Sequence, residues 1–339
     1  MALKTLRELG ERGLIERILR LITPLPSNPL PPWEDASALE LHGDLVALLK
    51  TDMLIWSTDV PPGMRPRDVG WKTVVMNFSD LAAKGVRPLA FLASLGLPAD
   101  TQLEVVEELT RGIDEASRHY DAYFLGGDTN EASEITVAGV AFGVGKRERL
   151  MRRSGAKPGD ILAATGLFGD TAASFKILLE GYEAPGDLRR RLLRAVYHPE
   201  ARVREGVALA ERGVVTASID SSDGLAMSLH DLSRSSGVGF RVEHLPITEE
   251  AMRFAELHGI DPWKLALYGG EEYELVFTVR PENLEEARET LREVGCSLIE
   301  IGVATRDRRL IYIDGGMEKS IGGGWEHFKS RPPPAPQAA

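Results

Sequence analysis

The chain has 339 residues, a net charge of -11 and an isoelectric point near 5.3, which opposes binding to DNA, RNA or an anionic membrane. Its length exceeds what one hydrophobic core usually supports and predicts two domains, while 43% hydrophobic and 27% charged residues are typical of a folded globular protein. An acidic protein that handles a small phosphorylated ligand needs divalent cations to mediate the contact.

Cysteine usage and the N-terminal sequence indicate the compartment. The single cysteine, Cys296, cannot form an internal disulfide or a cysteine metal cluster, which indicates a reducing environment. Residues 1–4 lack a signal-peptide pattern, and no apolar run approaches membrane-spanning length. We therefore expect a cytoplasmic protein with neither a membrane nor a nucleic acid as partner.

The first half alternates helical and strand patterns. Apolar spacing predicts a helix over residues 3–22, and a proline-rich segment, 23–32, follows it. The further predicted elements are a strand hairpin at 36–41 and 44–49, a helix at 67–84, a strand at 89–97, a helix at 103–119, and strands at 122–125 and 134–144. This alternation is typical of an α/β layer arrangement.

A basic cluster and a glycine-containing loop near residues 146–160 indicate a domain boundary. We place one domain at 1–148, a second at 149–330, and a disordered proline-rich tail at 331–339. In the second half, strands are predicted at 161–164, 214–219, 240–242, 273–279 and 298–304. Helices are predicted at 187–196, 201–211 and 282–294, and two further helices are predicted, one that ends at residue 179 and one that begins at residue 225.

The segment Gly126-Gly127-Asp128-Thr129 follows an apolar strand that is predicted to end at Leu125. Two glycines allow a tight turn and a close approach to a ligand, and an acid follows at once, which suits a metal-bound phosphate. Taken alone, an ordinary turn in which Asp128 caps the next element explains the segment better.

Similar constructions recur along the chain, where acids stand next to turns, strand ends or small polar residues: Asp35, Asp52, Asp80, Asp128, Asp220 and Asp223. Carboxylate oxygens are the ligands of hard divalent cations, and carboxylates gathered without a cation repel one another. Each acid alone is better explained as a surface residue, but for the set we favour shared cations. Neither a nucleophilic triad, nor a zinc pattern, nor a P-loop is present in the sequence.

Six blocks resemble the thiamine-monophosphate kinase family, and they occur in the family's order: TDML at 51–54, NFSDLAAKG at 77–85, LGGDT at 125–129, RSGAKPGD at 153–160, IDSSDG at 219–224 and GGEEYEL at 269–275. The resemblance extends from about residue 14 to residue 328. Residues 50–53 and 58–64 look most like archaeal members. The wider superfamily includes aminoimidazole-ribonucleotide synthetase, selenide-water dikinase and the hydrogenase-maturation dehydratase.

The resemblance implies two α/β domains, with the N-terminal sheets joining into a barrel across a homodimer. It also implies transfer of the γ-phosphoryl group of ATP to thiamine monophosphate, giving thiamine diphosphate, with several Mg²⁺ ions. The chemistry agrees with the residues, because a phosphate acceptor is already largely an oxyanion at neutral pH and needs no general base. Charge neutralisation and in-line alignment are what such a site must supply.

Carried over by position, the resemblance assigns roles to individual residues. Metal binding falls to Asp35, Thr51, Asp52, Asp80, Asp128, Asp220 and Asp223; ATP contacts fall to Gly127, Asp128, Arg153 and Ser222; substrate contacts fall to Asp59, Glu272 and Trp325. Asp128, Asp52 and Arg153 are the expected catalytic residues.

Some positions depart from the family pattern. Trp33-Glu34-Asp35 replaces the usual Gly-Asp-Asp, and Lys50 replaces a serine near a metal, where a cation could take the place of one ion. Asp59 stands where many members have histidine, and Glu272 where aspartate is common.

Two alternatives stay open. One is another ATP-dependent enzyme of the superfamily, similar to the purine synthetase, although its loop normally has glutamate at the position of Asp128. The other is a nucleotide- and metal-binding regulator that has lost turnover. A catalyst makes ADP only when the acceptor is present, which separates it from a regulator.

Overall fold

The computed structural model describes residues 5–324 and residue 328. The first half contains α1 (Leu6–Leu21), β1 (Ser37–Glu40), β2 (Leu45–Ile55), α2 (Trp56–Asp59), α3 (Pro66–Ala83), β3 (Pro88–Leu97), α4 (Leu103–His119), β4 (Tyr123–Glu131) and β5 (Thr136–Lys146). The second half contains β6 (Ile161–Ala164), α5 (Asp170–Leu179), α6 (Gly186–Tyr197), α7 (Val203–Arg212), β7 (Val215–Asp220), α8 (Leu225–Ser236), β8 (Gly239–Val242), α9 (Glu249–His258), α10 (Pro262–Tyr268), β9 (Leu275–Val279), α11 (Leu284–Glu293), β10 (Ile299–Thr305), β11 (Leu310–Asp314) and β12 (Met317–Ser320).

Two mixed sheets form the framework, which confirms the α/β class. The first has the order β1-β2-β5-β3-β4, and the second has the order β12-β11-β8-β10-β6-β9-β7. Within the described residues the first sheet ends at β1 and β4 and does not close into a barrel. Among the same residues, no helix has the length and apolar character needed to cross a membrane.

Strand β2 is longer than its sequence pattern indicates. It pairs with β5 in antiparallel register over eleven residues, from Leu45 opposite Lys146 to Ile55 opposite Thr136. Thr51 and Asp52 therefore lie inside a strand, and the predicted strand end at residue 49 is wrong. Pairing with β5 extends the strand beyond its predicted end, because the pairing satisfies the backbone hydrogen bonds on that side.

Helix α3 lies between the two halves of the chain. It begins with Pro66 in its first turn, where the missing N–H does no harm, and 15 of its 18 residues are buried. A helix that is buried on nearly all sides must be covered by several layers. Gly70 permits close contact with α4, because a Cβ there would lie 2.1 Å from the carbonyl oxygen of Leu109.

One hydrophobic core includes side chains from both halves of the chain. It contains Val74, Phe78 and Phe91 from the first half, and Val203, Leu209 and Phe277 from the second. The division at residue 148 stays a prediction, and the predicted tail at 331–339 lies outside the described residues.

The glycines before Asp128 do not form a turn between two elements. Strand β4 continues through them to Glu131, parallel to β3. Gly126 has φ of 110°, and a Cβ on Gly127 would lie 1.8 Å from the carbonyl oxygen of Ala93. Glycine is thus required at these positions by the irregular pairing with β3. The expectation that a strand ends at Leu125 and a turn follows is wrong.

Candidate active site

Three carboxylates converge in the interior of the molecule. One oxygen from each of Asp35, Asp80 and Asp220 lies within 4.8 Å of the others, and all three residues are buried. They come from the segment before β1, from α3 and from the end of β7. Oxygen ligands about 2.1–2.6 Å from one ion lie up to about 5 Å apart, so this triad has the spacing and chemistry of a divalent-cation site.

The electrostatics of two of these acids also favour a cation. Burial raises the pKa of Asp220 to about 7, and the charge of Asp35 adds to this, while a 2.8 Å hydrogen bond from the Ser79 hydroxyl opposes it. Burial also raises the pKa of Asp80 well above its usual range, where Lys50 opposes the shift and Asp220 adds to it. Burial thus makes the ionised form of both carboxylates unfavourable, and a positive charge nearby offsets this cost.

Lys50 supplies one positive charge from within the chain. Its Nζ lies 3.1 Å from Asp52 Oδ1 and 3.1 Å from Asp80 Oδ2. Burial alone would lower the pKa of Lys50, but the charges of Asp80 and Asp52 outweigh burial and raise it. Lys50 is thus a permanent cation at the edge of the triad.

Asp35 is held by two further cations. Lys84 Nζ lies 2.6 Å from Asp35 Oδ2, and Arg153 Nε donates to Asp35 Oδ1 at 2.8 Å. Burial raises the pKa of Asp35, but Arg153 and Lys84 outweigh it and lower the pKa to about 2. Glu34 joins the group, since its carboxylate accepts the backbone N–H of Arg153 at 3.0 Å and pairs with Lys84.

Asn77 and Asp80 in α3, and Lys84 directly after it, lie three and four residues apart and all reach this cluster. Asn77 Oδ1 accepts the backbone N–H of Asp52 at 3.0 Å, which ties β2 to α3 beside Lys50. Thr51, the residue before Asp52, is exposed. Successive side chains of a strand point to opposite faces. Thr51 and Asp52 therefore lie on different faces of the sheet.

Other predicted site residues lie at the surface. Asp128 is exposed on β4 opposite Ser94, and Ser222 and Asp223 are exposed in the loop before α8. Among the described residues, the group whose oxygens are close enough to share one ion does not include Asp52, Asp128 or Asp223. Their roles in metal and ATP binding stay predictions, as does that of Gly127.

The predicted substrate residues already have partners. The carboxylate of Asp59 accepts hydrogen bonds from the backbone N–H of Ile55 and the hydroxyl of Thr58, both at 2.8 Å. Glu272 Oε1 accepts from the backbone N–H of Gly169, which caps α5, at 2.6 Å. Burial raises the pKa of Glu272 to about 8, and the hydrogen bond from Gly169 opposes this shift. Trp325 lies outside the described residues.

Three residues beside the cluster escaped the sequence analysis: Lys72, Glu271 and Tyr273. Burial raises the pKa of Tyr273, and the charges of Glu271, Asp52, Asp220 and Asp80 add to the shift, so the phenol lies among these acids. Lys72 Nζ lies 2.6 Å from Glu271 Oε1. Glu271 and Tyr273 lie in the GGEEYEL block, but the sequence did not indicate a role for them, because their contacts join distant parts of the chain.

Comparison with known proteins agrees with this architecture. Residues 33–145 match the family described as AIR synthase related protein, N-terminal domain, and residues 157–315 match the corresponding C-terminal domain. The fold is thus that of a two-domain AIR synthase related protein.

A curated relative narrows this class. The thiamine-monophosphate kinase of Pyrococcus horikoshii is 39% identical over 298 residues, which cover 87% of this chain and 90% of the relative. The chain belongs to the thiamine-monophosphate kinase family, and the family assignment made from the six sequence blocks is confirmed.

Solved structures agree with the assignment. The crystal structure of thiamine monophosphate kinase from Aquifex aeolicus is 28% identical, with a TM-score of 0.77 over 92% of this chain and 98% of that one. The structure of AaThiL complexed with AMPPCP and TMP is 28% identical, with a TM-score of 0.84 over 96% of this chain and 100% of that one.

Proposed function

We propose that this protein transfers the γ-phosphoryl group of ATP directly to thiamine monophosphate and so makes thiamine diphosphate and ADP. The observation that carries the proposal is the convergence of Asp35, Asp80 and Asp220 within 4.8 Å. It occurs in a chain that shares its fold with AaThiL complexed with AMPPCP and TMP. A buried group of carboxylates has the chemistry to hold the divalent cation that accompanies a nucleoside triphosphate.

The residues of the triad fit Mg²⁺, because they are hard oxygen donors and two of them resist ionisation without a cation. Asp35, Asp80 and Asp220 would hold the ion. When bound, Mg²⁺ neutralises phosphate charge and favours in-line displacement. We propose that ATP and several Mg²⁺ ions are used, with Asp52, Asp128, Asp223 and Thr51 as the further metal residues.

The chain's own cations orient the acids. Lys50 holds Asp52 and Asp80 in place, and Arg153 holds Asp35 while its backbone N–H binds Glu34. The acceptor phosphate is ionised at neutral pH, so the oxygen that attacks the γ-phosphorus does not have to be deprotonated by a side chain. The proposed ATP contacts are Gly127, Asp128, Arg153 and Ser222, and the proposed substrate contacts are Asp59, Glu272 and Trp325.

We also propose a homodimer in which the N-terminal sheets of two copies join into a barrel. The first sheet exposes large apolar side chains on several strands: Leu39, Leu49, Met53, Leu92, Tyr123 and Leu125. Monomeric proteins rarely expose a contiguous apolar patch of this kind, and a partner sheet would remove it from water.

We propose a cytoplasmic protein with two domains. Burial raises the pKa of Cys296 to about 11, which keeps this single thiol protonated and inert, as in a cytoplasmic protein with a reduced cysteine. Domains at 1–148 and 149–330 are proposed on the change of composition near residue 148.

Incubation with Mg-ATP and thiamine monophosphate, with the products separated by chromatography, tests the function. We expect thiamine diphosphate and ADP in equal amounts, and ADP only when the acceptor is present. ADP formed without thiamine monophosphate, or no ADP whether or not thiamine monophosphate is present, would contradict the proposal. The latter result would favour a regulator that binds nucleotide without turnover.

A further inference from the structure

Lys72 is one of two buried lysines among the described residues, and the proposed chemistry does not use it. It lies in α3 and is 1% exposed. Its ammonium donates to the backbone carbonyl of Asp59 at 2.9 Å and to Glu271 Oε1 at 2.6 Å. Burying a charged ammonium is unfavourable unless it is paired, so these two bonds account for its place in the fold.

The two partners of Lys72 belong to segments that border the acidic cluster. Asp59 ends α2, which directly follows β2, the strand that carries Lys50 and Asp52. Glu271 belongs to the segment at 269–274, which packs against the loop that follows Asp220. Its backbone N–H donates to the carbonyl of Ser222 at 2.6 Å. Lys72 thus connects the segments next to both sides of the cluster.

The segment at 269–274 also contains strained backbone. Glu271 has φ of 64° and Tyr273 has φ of 53°, a region that side chains other than glycine rarely adopt. Such conformations persist when surrounding contacts hold them. The contacts here are the backbone bonds of Glu271 and Tyr273 to Ser222 and Ser221, and the ion pair of Glu271 with Lys72.

We propose that Lys72 is a positioning residue for phosphoryl transfer. Through its bonds to Asp59 and Glu271, Lys72 fixes the distance between the end of β2, which carries Lys50 and Asp52, and the loop after Asp220. Tyr273, two residues after Glu271, is buried, and its backbone N–H donates to the carbonyl of Ser221, the residue after Asp220, at 3.0 Å. This inference rests on the proposed function, because alignment of two phosphates is where an error of about 1 Å lowers the rate.

Single-turnover kinetics with enzyme in excess over ATP, at saturating thiamine monophosphate, test the proposal. We expect Lys72→Met and Glu271→Gln to lower the rate constant about tenfold or more while the amplitude stays that of the wild type. The double variant should be no slower than Lys72→Met alone, since both changes remove one ion pair. Lys176→Met is the control, because Lys176 pairs at 3.0 Å with Glu180, which is exposed directly after α5.

The two readouts separate positioning from folding. Because ATP is limiting, the amplitude falls only when less folded enzyme than ATP remains, whereas misalignment lowers the rate constant. Glu271→Gln provides the test if Lys72→Met does not fold. Rate constants within twofold of the wild type, or a loss of amplitude only, would overturn the proposal.

Hydrogen exchange at residues 55–60 and 269–274 provides a readout that needs no substrate, and it should rise in both variants but not in the control. If the wild type phosphorylates no thiamine monophosphate, the proposed function fails and the exchange result decides on Lys72. Unchanged exchange at both segments then overturns its positioning role.

Discussion

The ammonium of Lys50 lies 3.1 Å from a carboxylate oxygen of Asp80 and 3.1 Å from one of Asp52. A cation that belongs to the chain therefore neutralises part of the acidic cluster before any metal binds. The sequence analysis noted that a cation at this position could replace one ion, and the place of Lys50 among these acids is compatible with that role.

We predict that Lys50→Ser binds more divalent cation per chain than the wild type. The substitution removes the ammonium group that pairs with Asp52 and Asp80, and a metal ion can then take its place. Equilibrium dialysis with Mn²⁺, counted by electron paramagnetic resonance, gives the stoichiometry. Lys146→Ser is the control, since Lys146 is exposed and 4.0 Å from its nearest acid, Asp44. An equal stoichiometry in all three proteins would show that Lys50 does not occupy an ion's place.

Asp52→Asn and Asp128→Asn should each abolish thiamine diphosphate formation, with a loss of at least about 100-fold, because each removes a charge that the phosphates and cations require. The fold should survive in both. Chromatography measures the product, and the melting temperature reports folding. Asp100→Asn, in the exposed loop after β3, should be fully active. Wild-type activity in both site variants would count against the proposed roles.

The metal-free protein should lose stability as pH rises from 5.5 to 8. Folding raises the pKa of Asp220 from 3.8 to about 7, so the folded state holds this proton more tightly. The resulting contribution to the free energy of unfolding is fully present below pH 3.8 and disappears as pH rises through 7. It amounts to about 4 kcal/mol at most.

Asp35 behaves in the opposite way, because its pKa falls to about 2; its contribution is present above pH 3.8 and is lost as pH falls through 2. Denaturant unfolding at a series of pH values, once in EDTA and once in Mg²⁺, measures how the free energy of unfolding depends on pH with and without the metal. Mg²⁺ favours the ionised acids and should flatten the profile above pH 5.5, except for a part due to Glu272, whose pKa is raised to about 8. Asp220→Asn should make the profile less steep without metal, while Asp80 and Glu272, whose pKa values are also raised, still contribute to the slope. An unchanged slope in that variant would contradict the assignment.

Leu125→Asp should convert the proposed dimer into a monomer. Leu125 is 67% exposed on β4, and a charge there would be buried without a partner in a sheet-to-sheet contact. Light scattering after size exclusion gives the mass. The control is Leu257→Asp, since Leu257 is 53% exposed on α9, away from the first sheet. A wild-type monomer, or a dimer that survives Leu125→Asp, would refute the apolar face as the contact.

Local patterns predicted the elements well where periodicity was strong. The predicted helix at 67–84 is observed as Pro66–Ala83, and the predicted strand at 161–164 is observed as Ile161–Ala164. The convergence of Asp35, Asp80 and Asp220 also agrees with the shared-cation hypothesis. Acids without local basic partners were sufficient to suggest it.

What the sequence did not reveal depends on contacts between distant segments. β4 continues past Gly127 because β3 lies alongside it. The short helices α2 and α10 were not predicted, and neither was α9, although Thr248 before it and Gly259 after it are typical helix boundaries. The roles of Lys72 and Lys84 depend on acids far along the chain, Glu271 for one and Glu34 for the other. Burial of a lysine cannot be inferred until its partner is located.

The buried position of helix α3 opposes a hinge motion between the two halves of the chain. Its buried residues belong to a core shared by both halves, and the hydroxyl of Ser79 binds Asp220 at 2.8 Å. A clamshell motion of the halves about a hinge would tear this core open and separate Ser79 from Asp220. We therefore expect capture and release of the substrates to involve segments at the periphery, while α3 and the core around it stay rigid.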